Sequence, residues 1–245
     1  MKTLNYWLII STIFFNYHVL AQQGITGNSR NTPLTGPKIL SGFETQTAEL
    51  PDASYLDTEW ALAKVKFYPR IIGTLKGTVK LDSLDDIQMR VVLQGNDVEF
   101  KTSEGIKVLS GSLIQQFSAQ KANQPIKNYI SVFEFLDETE KLKSGFFEIL
   151  ANGKLKLLEY TRIIINKSDN PSGFHVASNK DTKIIKEKLL YFARGKEVII
   201  LNSKKDLYVA MGDQKPAIEK FIKENNLNTK SHSDLLKIFD YYNSL

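Results

Sequence analysis

The sequence predicts a mainly β protein, an antiparallel hairpin-built barrel or sandwich that ends in a helical hairpin. Short runs of alternating apolar and polar residues, rich in Val, Ile, Phe and Tyr, recur between about residues 53 and 211. Glycine, asparagine, aspartate or serine separates these runs, which is typical of strands joined by tight turns. After residue 211 the apolar residues follow a helical spacing instead. We therefore expect the strands to come first along the chain and the helices last.

The first 21 residues predict a secretory signal peptide. Lys2 provides a basic start, Trp7–Phe15 form an apolar core, and Val19-Leu20-Ala21 supply small residues at the cleavage position. The alternative, an uncleaved anchor, would need about 20 apolar residues, and this core is much shorter. The chain has no cysteine, so we do not expect a lipoprotein. The expected mature chain begins at Gln22, has no transmembrane segment, and is periplasmic or secreted.

Residues 22–52 are predicted to form a flexible linker, because Gly, Thr, Asn and Pro predominate there. Residues 53–211 are predicted to form the β domain. Its strongest turn signal is Asn152-Gly153, which favours a two-residue type I′ turn. Apolar residues on both faces of 146–150 and 155–158 predict central strands that are covered on both sides.

Residues 212–245 are predicted to form a helical hairpin that packs on the β domain. Asp213 is a candidate cap for the first helix, and Pro216 suits its first turn. Ser231 begins a capping box for the second helix. An apolar stripe follows on one face of that helix, formed by Leu235, Leu236, Phe239 and Tyr242. The stripe predicts that the helix closes its own domain; docking to a partner is the alternative.

Composition and motifs argue against several classes of function. The net charge is +5, or +4 without the leader and its Lys2, and the charges are interspersed, so nucleic-acid binding is not expected. The chain has no phosphate-binding glycine loop and no G-x-S-x-G elbow. Without cysteine, thiol catalysis and thiolate metal sites are excluded. We therefore expect no catalytic residue, no cofactor and no metal.

Three residues are candidate ligand contacts. Tyr55 and Trp60 have rings that can stack on a sugar or cover the mouth of a ligand cavity; the alternative is that they plug one end of a β core. His175 follows a Pro-Ser-Gly segment predicted to be a loop, and loops often carry functional side chains. A set of lysines on the predicted strands is a candidate basic face for an acidic ligand, or a protected sheet surface: Lys64, Lys66, Lys80, Lys154 and Lys156.

Three segments carry a resemblance to a family. They are 54–60 (SYLDTEW), 147–158 (FEILANGKLKLL), and the tail, in which 221–227 (FIKENNL) is followed by 234–237 and by 241–245 (YYNSL). Together they resemble uncharacterised exported proteins of Bacteroidota-type bacteria. The resemblance implies export and a β-rich fold with a helical tail, and it transfers no catalytic residue.

The sequence thus favours an exported, non-enzymatic protein of the cell envelope with a binding or scaffolding role. Its partner would be an envelope protein or a glycan. One alternative is a periplasmic carrier of a lipid or another apolar ligand, which would need a deep apolar cavity. A second alternative is a carbohydrate-active enzyme, which would need two facing carboxylates.

Overall fold

The fold was obtained as a computed structural model, which describes residues 40, 43, 45, 50–74, 77–136, 142, 144–167 and 182–245. The described residues form ten strands and three helices. The strands are β1 (Ala61–Thr74), β2 (Gly77–Val92), β3 (Asp97–Thr102), β4 (Gly105–Ser110), β5 (Ile114–Gln120), β6 (Lys127–Ser131), β7 (Phe146–Ala151), β8 (Lys156–Lys167), β9 (Thr182–Arg194) and β10 (Glu197–Ile200). The helices are α1 (Lys204–Met211), α2 (Lys215–Glu224) and α3 (His232–Ser244).

All ten strands belong to one antiparallel sheet. Its order is β10-β9-β8-β7-β6-β5-β1-β2-β3-β4. Two meanders, β1 to β4 and β5 to β10, are joined where β1 pairs with β5. Because β4 and β10 lie at opposite ends of this order, the sheet is open and is not closed into a barrel. The predicted class, mainly antiparallel β with a C-terminal helical hairpin, is confirmed.

Tight turns join three pairs of consecutive strands at glycines that the sequence had indicated. Gly95 and Asn96 adopt positive φ values of 99° and 57° between β2 and β3. Gly105, with φ of 112°, ends the turn before β4, and Gly195, with φ of 61°, lies between β9 and β10. These backbone conformations are open to glycine and tolerated by asparagine. The local sequence therefore explains these three hairpins.

The predicted type I′ turn at Asn152-Gly153 is wrong. Neither residue has a positive φ, and the connection runs from the end of β7 at Ala151 to the start of β8 at Lys156. The Asn243 side chain of α3 lies directly against Gly153 and bonds the backbone of Leu155. Tertiary contact with the helix therefore overrides the local turn preference.

Three clusters of buried residues divide the sheet. The first lies on one face of β1 to β7 and includes Phe67, Met89, Phe100 and Ile114. The second cluster joins the helices to one face of β7 to β9, and its main members are Leu155, Leu157, Phe192, Met211, Ile218 and Phe239. The third cluster covers the opposite face of these strands and includes Val132, Phe135, Phe147, Leu158, Tyr191 and Val198.

Strands β7 and β8 are covered on both faces. Leu157 and Leu158 are consecutive residues of β8, so their side chains point to opposite faces, and both are fully buried. One belongs to the cluster under the helices and the other to the third cluster. The expectation of central, doubly covered strands at 146–150 and 155–158 is therefore confirmed.

Helices α2 and α3 form where the sequence predicted a helical hairpin, and Pro216 lies in the first turn of α2 as expected. The predicted cap Asp213 is wrong: it lies in a 3-10 turn before the helix, and Gln214 is the N-cap without a side-chain hydrogen bond. Ser231 caps α3 by accepting a hydrogen bond from the Asp234 backbone N–H. Residues 207–211, which were predicted to be a strand, instead lie in α1. Ser203 caps that helix by accepting from the backbone N–H of Asp206, and a local cap therefore sets the helix. Within the described part of the chain, none of the helices is long and apolar enough to cross a membrane.

Residues before β1 pack against the sheet. Leu40 and Thr45 lie within the predicted linker; Leu40 is fully buried in the first cluster, and Thr45 forms an antiparallel bridge with Lys107 of edge strand β4. At the other edge, Leu136 forms a parallel bridge with Glu197 of β10. Both edge strands are thereby partly covered, which limits pairing with other chains. The predicted signal peptide, residues 1–21, lies outside the described residues.

Candidate functional site

Tyr55 and Trp60, two of the predicted ligand contacts, lie on either side of Arg90. The guanidinium carbon of Arg90 is 4.1 Å from the centre of the Tyr55 ring and 4.5 Å from that of Trp60. Lys101 approaches the Trp60 ring at 5.9 Å. Both rings therefore meet cations of this chain.

The same arginine is tied to a buried carboxylate. Arg90 Nε donates to Glu99 Oε2, and the Tyr55 hydroxyl donates to Glu99 Oε1 at 3.3 Å. Tyr55 and Glu99 are each 1% exposed. Tyr55 is thus committed to an internal cluster that holds the segment before β1 against β2 and β3. Its ring and hydroxyl are therefore both engaged by residues of this chain.

His175, the third predicted contact, lies outside the described residues, so the structure does not bring it together with Tyr55 and Trp60.

A small cleft opens next to the Tyr55–Trp60 segment, on the face that carries the first buried cluster. Its volume is about 50 Å³. The apolar part of its lining is formed by Leu56, Ala61, Met89, Val91, Phe117 and Ala119. Its charged lining residues are Asp57, Glu59, Arg90, Lys121 and Lys127.

Lys121 links the two acidic residues of this cleft. Its Nζ lies 2.6 Å from Asp57 Oδ2 and 3.1 Å from Glu59 Oε2. Partial burial acts to raise the pKa of Asp57. The hydrogen bond from Lys121, the bond from the Glu59 backbone N–H, and the charges of Lys121 and Lys186 together outweigh it and lower that pKa. The ammonium group therefore favours the ionised form of Asp57.

Two further carboxylates meet on neighbouring strands of the same face. Glu148 of β7 is directly opposite Glu159 of β8 in the sheet register. Lys127 Nζ lies 3.0 Å from Glu148, and Lys188 Nζ lies 2.7 Å from Glu159. Side chains at opposed positions have Cβ atoms about 5 Å apart. The lysines therefore offset the repulsion between two closely spaced negative charges.

Tyr129 and His232 border this pair of glutamates. The Tyr129 hydroxyl donates to Glu148 Oε2 at 3.3 Å; burial first, and then the charge of Glu148, raise the pKa of Tyr129. His232 Nδ1, at the start of α3, is 3.7 Å from Glu159 Oε2.

Sequence analysis did not single out Glu159. Its position in β8 beside Leu157 and Leu158 was visible, but the register with β7 was not.

An open groove crosses the opposite face of the central strands and has a volume of about 840 Å³. It is lined by residues of β2, β1, β5, β6 and β7, and its polar members are Lys64, Lys66, Asp82, Ser83, Asp85, Gln116, Ser118, Asn128 and Asn152. Two of the lysines from the predicted basic face are therefore here. Asp82 and Asp85 share the groove with them, so the surface is mixed in charge rather than basic.

Among the described residues, no group of three or more His, Asp or Glu side chains is arranged to hold a metal ion. Comparison of the chain with models of protein families, with curated proteins and with solved structures gave no match.

Proposed function

We propose that this protein is an exported, non-enzymatic binding protein of the cell envelope, and that its ligand lies in the open groove on the central strands. Export is part of the proposal because of the leader pattern in residues 1–21. The observation that carries the binding role is the groove itself: its volume of about 840 Å³ falls in the range of ligand sites, roughly 300–1,000 Å³.

The polar groups of the groove are free to bond a ligand. No hydrogen bond or ion pair within the described residues engages the side chains of Lys64, Lys66, Asp82 or Asp85. The side-chain amides of Gln116 and Asn128 add donors and acceptors. Two lysines and two aspartates balance in charge, which favours a ligand that is neutral overall or that carries both signs.

The direction of the groove favours an elongated ligand. It spans five adjacent strands, from β2 to β7. Neighbouring strands lie about 4.8 Å apart, so four steps extend roughly 19 Å. A glycan chain or an extended peptide has the shape and the hydrogen-bonding groups for such a surface. Both belong to the envelope partners that the sequence favoured.

The cleft beside the Tyr55–Trp60 segment disfavours a lipid carrier. Its volume of about 50 Å³ is far below that of a site that would enclose a lipid. Within the first cluster, Phe67, Phe100 and Ile114 are fully buried and leave no exposed apolar surface at these positions. These observations support binding on the surface over carriage inside the core.

A carbohydrate-active enzyme is a second candidate because Glu148 and Glu159 face each other in register. Retaining glycosidases use two carboxyl groups that lie close together on one surface, and the register brings these two glutamates side by side. Each of them is, however, bonded to a lysine, which leaves no carboxyl free of a partner. Release of reducing sugar from envelope polysaccharide by the protein, and its loss in Glu159→Gln, would establish this activity and overturn the non-enzymatic proposal.

Native mass spectrometry tests the binding role. The purified chain is incubated with a solubilised envelope fraction and compared with Lys66→Ala/Gln116→Ala, which removes two groove contacts. The control is Lys205→Ala/Gln214→Ala, which removes the same residue types from exposed positions in the helical tail. We expect a reproducible adduct that the groove variant loses and the control retains. A clean mass for the unmodified chain, or an adduct that survives both variants, would contradict the proposal.

A further inference from the structure

The small cleft lies on the other face of the sheet and is separate from the groove. Its interior is apolar: Met89, Val91 and Phe117 are nearly fully buried, while Ala61 and Ala119 are half-buried and border the open space. Of its charged lining residues, Asp57, Glu59 and Lys127 are exposed, whereas Arg90 is largely buried and is paired with Glu99. An apolar centre surrounded by a polar rim is the anatomy of a pocket that receives one anchoring side chain of a protein partner.

The volume of the cleft limits what it can hold. A single water needs about 10–15 Å³ measured in this way, so about 50 Å³ corresponds to three to five waters. Since each water occupies roughly 30 Å³ of liquid, that space equals about 90–150 Å³. One aliphatic side chain of the size of leucine fits it, whereas a lipid chain does not.

One carboxylate at the rim is exposed and shares its cation with a second carboxylate. Glu59 is 68% exposed, and the ammonium of Lys121, 3.1 Å away, is shared with Asp57. Lys186 adds a positive charge that acts on Asp57. Lys127, which also lines the cleft, is paired with Glu148. A positive charge next to the anchoring side chain would therefore find its partner at Glu59.

We propose that this cleft binds a segment of a partner protein in which one aliphatic side chain is followed by a basic residue. The aliphatic side chain fills the space bordered by Ala61 and Ala119, and the basic residue pairs with Glu59. The site does not require that the groove on the opposite face bind anything.

Three capped tripeptides test this proposal: acetyl-Ser-Leu-Lys-amide, acetyl-Ser-Asn-Lys-amide and acetyl-Ser-Leu-Glu-amide. Saturation-transfer NMR detects contact with the full chain, and titration gives the affinities. Burial of a leucine side chain should make the first peptide bind at least about tenfold more tightly than the second. Replacing its lysine by glutamate, or the protein's Glu59 by Gln in Glu59→Gln, should weaken binding by up to about fivefold, as for an exposed ion pair.

A cavity-filling variant tests whether the peptide binds in the cleft or elsewhere on the protein. Ala119→Leu occupies the space, and Ala217→Leu adds the same atoms at a half-buried position of α2, outside the cleft. We expect Ala119→Leu to abolish the transfer signal from the leucine methyl groups, and Ala217→Leu to retain it. Thermal unfolding confirms that both variants are folded. Equal binding of the leucine and asparagine peptides, or a signal that survives Ala119→Leu, would overturn the proposal.

Discussion

The contact between Asn243 and the β7–β8 connection should behave as one coupled unit. Asn243, in the last turn of α3, accepts from the Leu155 backbone N–H at 3.0 Å and donates to the Leu155 carbonyl at 2.9 Å. Leu155 is fully buried, so its backbone groups have little access to water. A Cβ atom on Gly153 would lie 2.4 Å from Asn243 Cγ and 2.5 Å from its Oδ1. Gly153→Ala therefore cannot coexist with the native position of Asn243.

The magnitudes follow from the lost hydrogen bonds. Asn243→Ala leaves two buried backbone groups without a partner, at about 1–3 kcal/mol each. The better helix propensity of alanine returns roughly 0.5 kcal/mol, so we expect a loss of about 1.5–5.5 kcal/mol in the free energy of unfolding. Gly153→Ala should cost a similar amount because it displaces the same side chain. In the double variant the clash is absent, so the two losses should not add, and the coupling energy should be about 2 kcal/mol.

Urea unfolding followed by far-UV circular dichroism measures these free energies. Asn202→Ala, at an exposed position before α1, is the control and should change stability by less than about 0.5 kcal/mol. If the losses from Gly153→Ala and Asn243→Ala add to within about 0.5 kcal/mol, the two residues act independently and the reasoning from the contact is wrong.

Two further predictions concern charged pairs. Arg90→Ala should lower the free energy of unfolding, measured in urea, by about 3–5 kcal/mol, because it leaves the buried Glu99 carboxylate without its cation. The double variant Arg90→Met/Glu99→Met should recover much of that loss. If it recovers none, the loss does not come from the ion pair. The pKa of Asp57 is lowered in the folded state, so its ionised form stabilises the fold at neutral pH, and this contribution is lost as the pH falls through the acidic range below about 4. Lys121→Met should raise that pKa in an NMR titration of the carboxyl groups, while Lys127→Met should leave it unchanged.

The contacts that form the candidate sites could not be predicted from the sequence. Tyr55 and Trp60 were singled out as aromatic residues close together in the chain, and the structure places them around Arg90. Nothing in the sequence indicated that Arg90, thirty residues beyond Trp60, would lie between the two rings. The pairing of Glu148 with Glu159 was equally hidden, since it depends on the register of β7 and β8. Residues that form a site across strands are joined by register, which local patterns do not encode.

The sequence by itself determined which segments become strands and helices wherever a local signal was decisive. Alternating apolar residues predicted most of the strands. Glycine and asparagine predicted the turns at Gly95, Gly105 and Gly195, and Ser231 predicted the start of α3. These features depend on backbone conformation and on neighbours in the chain, so local chemistry is sufficient to set them.

Only the tertiary structure decided how these segments combine. The order of the strands, the open sheet, and the pairing of β1 with β5 follow from long-range contacts. The Asn152-Gly153 connection shows the reason: a strong local preference for a type I′ turn yields where Asn243 of α3 occupies the space beside Gly153 and bonds Leu155. Local preferences of about 1 kcal/mol are outweighed when buried hydrogen bonds and close packing depend on another arrangement.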